Sequence, residues 1–583
     1  MPEAIRETAT DILILGAGGA GLFAALHAKR AAPERSVAIV VKGLLGKCGC
    51  TRMVQGGYNV ALAAGDSAER HFMDTVEGGK WLNDQDLAWR LVTGAQARIR
   101  ELETEIGCFF DRNPDGTVHQ KAFAGQTFDR TVHKGDLTGI EIINRLAEQV
   151  YARSVARLED HRALDLVPRA DGSGIAGALL LDMRSGELVL ARAHAVLLAT
   201  GGGPTMYRYH TPSGDKSCDG LAMALRAGLP LRDMEMVQFH PTGLLAGEGT
   251  RMTGTVLEEG LRGAGGFLTD GTGERFMPLY DPAGERATRD IVSRAIMDRI
   301  DNGFGGPHGG VFIEMGHLGS DNVRRMFKGM VERCADCGFD LAAGRVEVIP
   351  TAHYLMGGVV FDTACRTPWH GLYAAGEDTG GVHGANRLGG NGVANSTVFG
   401  GLAGDAMAAG LPPVGETLPE PDRHVLAAAV GRALAPRGRK PGDGAALGAE
   451  LARVMWEDVG VLRNAASLSR AAISLAALAA ALEESGVADT DRRYDVAWTD
   501  RLNLENLLLV SRAIVTASLL RTDSRGAHFR TDHPETSDLA TSRYTMARLM
   551  GGEFAATTEP VRFTLVRPGQ SLLGAPAQVR SEA

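Results

Sequence analysis

From residue 11 the chain reads D-I-L-I-L-G-A-G-G-A-G: an apolar run, Asp11–Leu15, closed by Gly16, Gly18, Gly19 and Gly21, then an apolar-periodic stretch, Leu22–Arg30. Strand, glycine turn and helix in that order turn backbone amides toward a pyrophosphate in a dinucleotide fold. Gly16 permits the tight turn, Gly18 lets amides approach phosphate oxygens, and Gly21 lets helix and strand pack closely. A G-x-G-x-x-G alone says little; this one stands in the context its chemistry requires.

A second apolar strand, Ser36–Val41, ends in Lys42, where a nicotinamide-binding fold would place an acid for the ribose. That weighs against NAD. Ala193–Gly202 is a buried strand ending at Thr200 and Gly201, and Gly371–Glu377, G-L-Y-A-A-G-E, is another. Three strand-to-glycine turns spread over most of the chain predict one large nucleotide domain interrupted by an insertion, and favour a flavin over NAD. A flavin enzyme working on a carbon–carbon bond needs a hydride carrier and a proton carrier on opposite faces of the substrate. Taken by themselves, Arg289 in E-R-A-T-R-D reads as a surface helix arginine and His240 in F-H-P-T as a structural turn histidine.

With 583 residues the chain has room for two or three domains, and a formal charge of -9 disfavours an electrostatic nucleic-acid binder. Ala471–Leu482, between Arg470 and Glu483, is too short an apolar run to span a bilayer and reads as a buried helix. Glu3, Arg6, Glu7 and Asp11 precede a glycine-broken apolar stretch, unlike a secretory signal. The expected location is the cytoplasm, with docking to a membrane through a partner. Seven cysteines without a regular framework fit a reducing compartment. The single C-x-x-C, Cys334–Cys337, lacks the second pair that would complete a metal site.

A longer set of motifs resembles one family closely. It comprises Gln55-Gly-Gly57, Phe123-Ala-Gly-Gln126, Asp219-Gly220, Met234–Thr242, Arg262–Gly266, Gly273–Met277, His353–Gly358, His383–Asn391 and Ser524–Arg530, in order along nearly the whole chain. These resemble the flavoprotein subunits of succinate dehydrogenase and fumarate reductase, with L-aspartate oxidase as a sister branch. The resemblance implies an α/β fold: a Rossmann-like FAD-binding domain (1–240 and 351–410), an inserted α+β capping domain (241–350) and a helical C-terminal domain (422–583) after the Pro-rich linker Leu411–Pro421. It also implies FAD held by Gly16, Gly18, Gly19, Gly21, Lys42, Gln55, Gly56, Gly57, Thr200, Gly201, Asp219, Glu377 and Asn391.

In the family, the arginine at the position of Arg289 exchanges a proton with a substrate carbon while flavin N5 exchanges a hydride with the adjacent one. Glu259 matches the proton-relay glutamate. His240, His353 and Arg387 resemble the groups that grip the substrate carboxylates, work that suits the bidentate fork of Arg, and Phe123 would wall the substrate. Two positions depart from the pattern. Cys50 stands where succinate-oxidising members carry the flavin-linking histidine, which removes a histidyl link and favours fumarate reduction or an oxidase; a thioether at Cys50 competes with a plain buried thiol. Glu258 stands where the family has a threonine, which places a carboxylate beside a dicarboxylate; this implies either a substrate with an amine or amide at that end, or a local insertion after Thr242 that moves the segment, with Thr253 or Thr255 then supplying the hydroxyl. The resemblance implies interconversion of fumarate and succinate, or a close dicarboxylate, with electrons exchanged with a separate iron–sulfur protein. The alternatives are an L-aspartate oxidase-like desaturating flavoenzyme and a flavin-binding assembly protein without turnover, which would need none of Arg289, Glu259, His240, His353 and Arg387.

Overall fold

In the computed structural model, residues 5–247, 250, 252–488 and 491–573 are described. The strand Arg6–Leu15 runs through the middle of the main sheet, parallel to Val37–Val41 on one side and to Glu187–Leu198 on the other. Ala156–Glu159 extends the first edge, and Ile175–Asp182 and His161–Pro168 extend the second as antiparallel strands. Layers cover both faces of the parallel part, which is why I-L-I-L and V-A-I-V-V are continuous apolar runs and not alternating ones. Leu372–Ala374 joins the same sheet alongside Glu187–Leu198, so the chain leaves the sheet after residue 198 and returns at 372. This is the interrupted α/β nucleotide domain that the glycine turns predicted.

The excursion builds a second, antiparallel sheet in the order Val237–Leu244, Arg345–Leu355, Val311–Glu314, Phe267–Thr269. Helices Arg289–Arg299 and Lys328–Ala335 accompany it. The chain enters and leaves on the paired strands Val237–Leu244 and Arg345–Leu355, which run continuously across positions 240/241 and 350/351. His240 stands opposite Thr351, next to a register shift between His240 and Gly243. Pro241 has no N–H for the ladder, and a bulge there re-aims the neighbouring side chains.

Four helices, Arg423–Leu434, Gly444–Val459, Ala465–Glu484 and Val496–Leu520, form the C-terminal region. Asp422, Asp443, Asn464 and Asp495 cap their N-termini with side-chain oxygens, Asn464 in a reciprocal capping box with Ser467. Ala465–Glu484 outruns the charge-free stretch within it, because Arg470 and Glu483 lie on its exposed side and do not interrupt it. This helix and Val496–Leu520 are long and apolar enough to cross a membrane by length and composition. In the fold, Leu468, Ala471, Leu475, Leu478 and Leu482 face one way into a core shared with Leu451, Val454, Leu504 and Leu508. Beyond the helices the chain turns to strand: Arg543–Met550 and Glu553–Pro560 form a hairpin that pairs with Leu231–Arg232 and ties the C-terminal region back to the body.

Candidate active site

A cavity of about 800 Å³ runs from the glycine turn to the capping sheet. At one end lie Gly16, Gly18 and Gly19. Gly16 has φ +116°, and a Cβ there would lie 2.1 Å from the Ala199 carbonyl oxygen, so only glycine fits the turn. Gly21 stands behind the turn and does not line the cavity; its Cβ would lie 1.9 Å from the Gly16 carbonyl, which is how the helix presses against the loop. Helix Gly19–Ala31 starts at Gly18 with no side-chain cap, and its Gly19 N–H donates to Thr51 Oγ1 at 3.1 Å. The first-turn amides therefore face the cavity as an anion site.

The other FAD-assigned residues surround this end and the middle of the cavity. Lys42 Nζ donates to the Asp215 carbonyl, Ser217, Asp219 and Asn503 at 2.8–3.1 Å; burial pushes it down to about 8 although Asp219 opposes this. The Asp219 carboxylate is buried, yet Arg162 and Lys42 hold it far below the carboxylate range. Thr200 and Gly201 are pinned by Asp378, which accepts from both amides and is pushed up to about 6 by burial. Glu377 accepts from the Leu355 and Gly203 amides and is pushed up to about 7 by burial. Gln55, Gly56, Gly57 and Cys50 line the middle. Asn391 does not line the cavity. Its carboxamide is spent on Asn59, His71 and Thr75 behind the wall, so its side chain holds the turn together and is not available to a cofactor. An uncapped helix N-terminus, a close-approach glycine turn and an elongated cavity fit FAD.

The far end is crowded with cations. Arg289, the first residue of its helix, donates from Nε and one terminal nitrogen to Glu259 Oε2 at 3.0 and 2.6 Å, and from the other terminal nitrogen to Gln238 Oε1 at 3.0 Å. Glu259 Oε1 lies 3.6 Å from Arg262. Burial alone would raise Glu259, but the two guanidiniums prevail and hold it below the ordinary range. Arg387 is 5% exposed, stacks 4.5 Å above the Tyr354 ring and, among the described residues, donates only to the Leu388 carbonyl. No carboxylate pairs with it among the described residues. Burial and the neighbouring Arg289 push it down to about 10. A buried guanidinium without an acid is suited to receive an anion.

His240 and His353 stand with ring centroids 5.4 Å apart, and burial with the surrounding arginines holds both well below their ordinary range. His240 Nδ1 accepts from the Thr242 amide at 3.3 Å, which leaves the proton on Nε2 as a donor. His353 Nδ1 contacts Thr211 Oγ1 at 2.7 Å. Phe123 is buried against Gly389, where a Cβ would lie 2.6 Å from both the Phe123 ring and Glu259 Oε2, and 3.2 Å from Arg289. The site thus gathers carboxylate-binding donors around a guanidinium joined to a buried carboxylate.

Residues 11–393 match the FAD-binding domain family, and residues 448–573 match the fumarate reductase flavoprotein C-terminal domain. The chain belongs to the fumarate reductase/succinate dehydrogenase flavoprotein family. Over 534 residues it is 40% identical to one of the polypeptides of the CoM/CoB fumarate reductase of Methanothermobacter marburgensis, covering 90% of this chain and 95% of that one. It is 36% identical over 561 residues to the L-aspartate oxidase of Streptomyces coelicolor, covering 93% and 92%. Its fold matches the flavoprotein of a mutant E. coli quinol fumarate reductase with a TM-score of 0.91 at 32% identity, covering 97% and 99%. Like other members of the fumarate reductase/succinate dehydrogenase family, it is an FAD-dependent oxidoreductase.

Several groups at this family site escaped the sequence. Gln238, which orients Arg289, lies two residues before His240 on one strand, and the period of two would have shown it on the same face. Tyr354, beneath Arg387, adjoins His353. Lys121 and Arg333 reach the site from a short strand and from the capping helix, and no local pattern announced them. The Gln55 carboxamide meets the Arg333 guanidinium directly, its oxygen accepting from both terminal nitrogens. Of the two threonines considered, Thr255 lines the cavity and donates to the Met252 carbonyl at 2.6 Å, whereas Thr253 turns to the Gly247 carbonyl. Cys334 is buried and Cys337 half-buried at the end of Lys328–Ala335, both as free thiols.

Proposed function

We propose that this flavoprotein interconverts fumarate and succinate, or a close dicarboxylate pair, with Arg289 as proton carrier. The observation that carries the reading is the bond from Arg289 to Glu259 beside the unpaired Arg387. Arg387 grips one substrate carboxylate through its planar fork, with His240 and His353 adding donors. Phe123 and Gly389 confine the substrate against Arg289. A guanidinium is a poor acid in water, so Arg289 can give up a proton only where another group replaces it at once. Glu259 relays that replacement: a proton delivered to Oε1 from the Arg262 side leaves from Oε2 to Arg289, so the carboxylate passes the proton on and is ionised again afterwards. FAD in the cavity supplies the hydride chemistry at its N5.

The same proposal assigns the electrons to a separate iron–sulfur protein and places the chain at the cytoplasmic face of a membrane through that partner. Similarity to a quinol fumarate reductase supports this part. A second reading, an L-aspartate oxidase-like enzyme, is favoured by one observation: Glu258 puts a carboxylate in the cavity wall that an ammonium would satisfy. The deciding experiment is anaerobic oxidation of a reduced viologen dye by fumarate with the FAD-loaded chain. Rapid turnover supports dicarboxylate reduction. Flavin bound without turnover, together with oxidation of L-aspartate, would establish the second reading.

A further inference from the structure

Glu258 is the buried carboxylate of the substrate end that the proposed reaction does not use. It lines the cavity immediately before Glu259, and its Oε2 lies 3.4 Å from Lys121 Nζ. Lys121 in turn stands 5.8 Å from the centroid of Phe123, whose ring shares Gly389 with Glu259 and Arg289. Glu258 therefore lines the cavity on the side of Lys121 and Phe123.

The charged groups facing Glu258 are Lys121 on the strand Gln120–Lys121, Asp136 in the loop before the helix Thr138–Tyr151, and Arg333 on the capping helix Lys328–Ala335. Lys121 is its one side-chain hydrogen-bond partner among the described residues, and 3.4 Å is long for a charge-assisted bond. Burial lifts the carboxyl above the ordinary range against the pull of Lys121 and Arg333. A dicarboxylate entering the cavity adds a like charge on that side. Carboxyl groups sharing one site hold a proton between them, and only the protonated form offers a donor.

We propose that Glu258 determines specificity: in the complex it is protonated and donates a hydrogen bond to the second carboxylate of the substrate, which therefore binds together with one proton. This rests on the dicarboxylate reading above. It makes the site select a dianion over a substrate with an ammonium at that end, which would require Glu258 ionised. Above the pKa of the unliganded Glu258, affinity falls about tenfold per pH unit.

The test is calorimetric titration of the oxidised FAD-loaded enzyme with fumarate between pH 6 and 9, in phosphate and in Tris, with no electron donor present. The expected result is uptake of close to one proton per fumarate in the alkaline part of the range, with Kd rising tenfold per pH unit there. Glu258→Gln keeps a donor without a titrating proton, so uptake disappears and Kd becomes flat with pH. Lys121→Met removes the ammonium that favours ionised Glu258 and moves the limb to higher pH. Wild-type binding that is independent of pH would overturn the assignment. So would uptake persisting in Glu258→Gln, which would place the proton on His240 or His353. L-aspartate binding more tightly than fumarate without uptake would also overturn it. An enzyme that takes up the proton with fumarate yet cannot reduce it loses the proposed reaction and keeps this inference; one that reduces fumarate with pH-independent binding does the reverse.

Discussion

Arg289 sets both Nε and a terminal nitrogen on one oxygen of Glu259, at 3.0 and 2.6 Å, and leaves the other oxygen to Arg262 at 3.6 Å. One carboxylate thus joins two guanidiniums through separate oxygens, a path along which a proton can be replaced without the carboxylate turning. Arg289→Gln removes the carrier at a domain interface and leaves the FAD-binding end untouched. Turnover should fall about 10³-fold while flavin content stays equal to wild type, read by the viologen assay and by absorbance. Turnover within a few fold of wild type would remove Arg289 from the proton path.

Gly389→Ala tests the same geometry without changing any charge. The new methyl would meet Phe123 and Glu259 at 2.6 Å, so either the ring or the carboxylate must move. A displacement of this size at the reacting groups should cost about 10²-fold in kcat. Flavin should be retained, and normal kcat would show that the contact is slack.

Cys50 lines the cavity, but burial pushes its thiol up to about 12 although Lys216 opposes this. A thiol that stays protonated is a poor nucleophile. Acid precipitation of the loaded protein should therefore leave a colourless pellet with the flavin in the supernatant. A pellet that stays yellow, and turns colourless in Cys50→Ala, would establish a thioether.

Seven histidines, His71, His133, His210, His240, His353, His383 and His528, are held below their ordinary range, mainly by burial, His71 at about 3 and His133 at about 4. Their folded pKa values are depressed, so the unfolded chain binds more protons below about pH 6.5 and stability falls with pH. At pH 5 each costs at most about 2 kcal/mol. Six acids raised by burial act in the opposite direction: Asp233 and Glu377 at about 7, Asp378 at about 6, and Glu77, Glu258 and Asp301. The histidines outnumber them, so the denaturation midpoint of the FAD-free protein should drop from pH 7 to pH 5. A midpoint that rises toward pH 5 would show that the raised acids dominate.

The sequence by itself determined the local devices. The apolar run before Gly16, the glycines of the turn, the later turns at Gly201 and Gly376, and the capped C-terminal helices all rest on contacts within a few residues, where backbone sterics and burial leave little choice. The motif order was enough to assign FAD. What tertiary structure alone decided is the company each charged residue keeps. Arg289 reads as a surface residue until Glu259, thirty positions earlier, is folded against it. Arg387 is open to an anion because no carboxylate among the described residues bonds to it, and Glu258 meets Lys121 and Arg333 only when distant segments fold together. The side chain of Asn391 bonds to Asn59, His71 and Thr75, more than three hundred positions away, a set of partners that no local pattern announces. Charge and burial depend on all neighbours at once, and those neighbours are set by long-range packing, not by spacing along the chain.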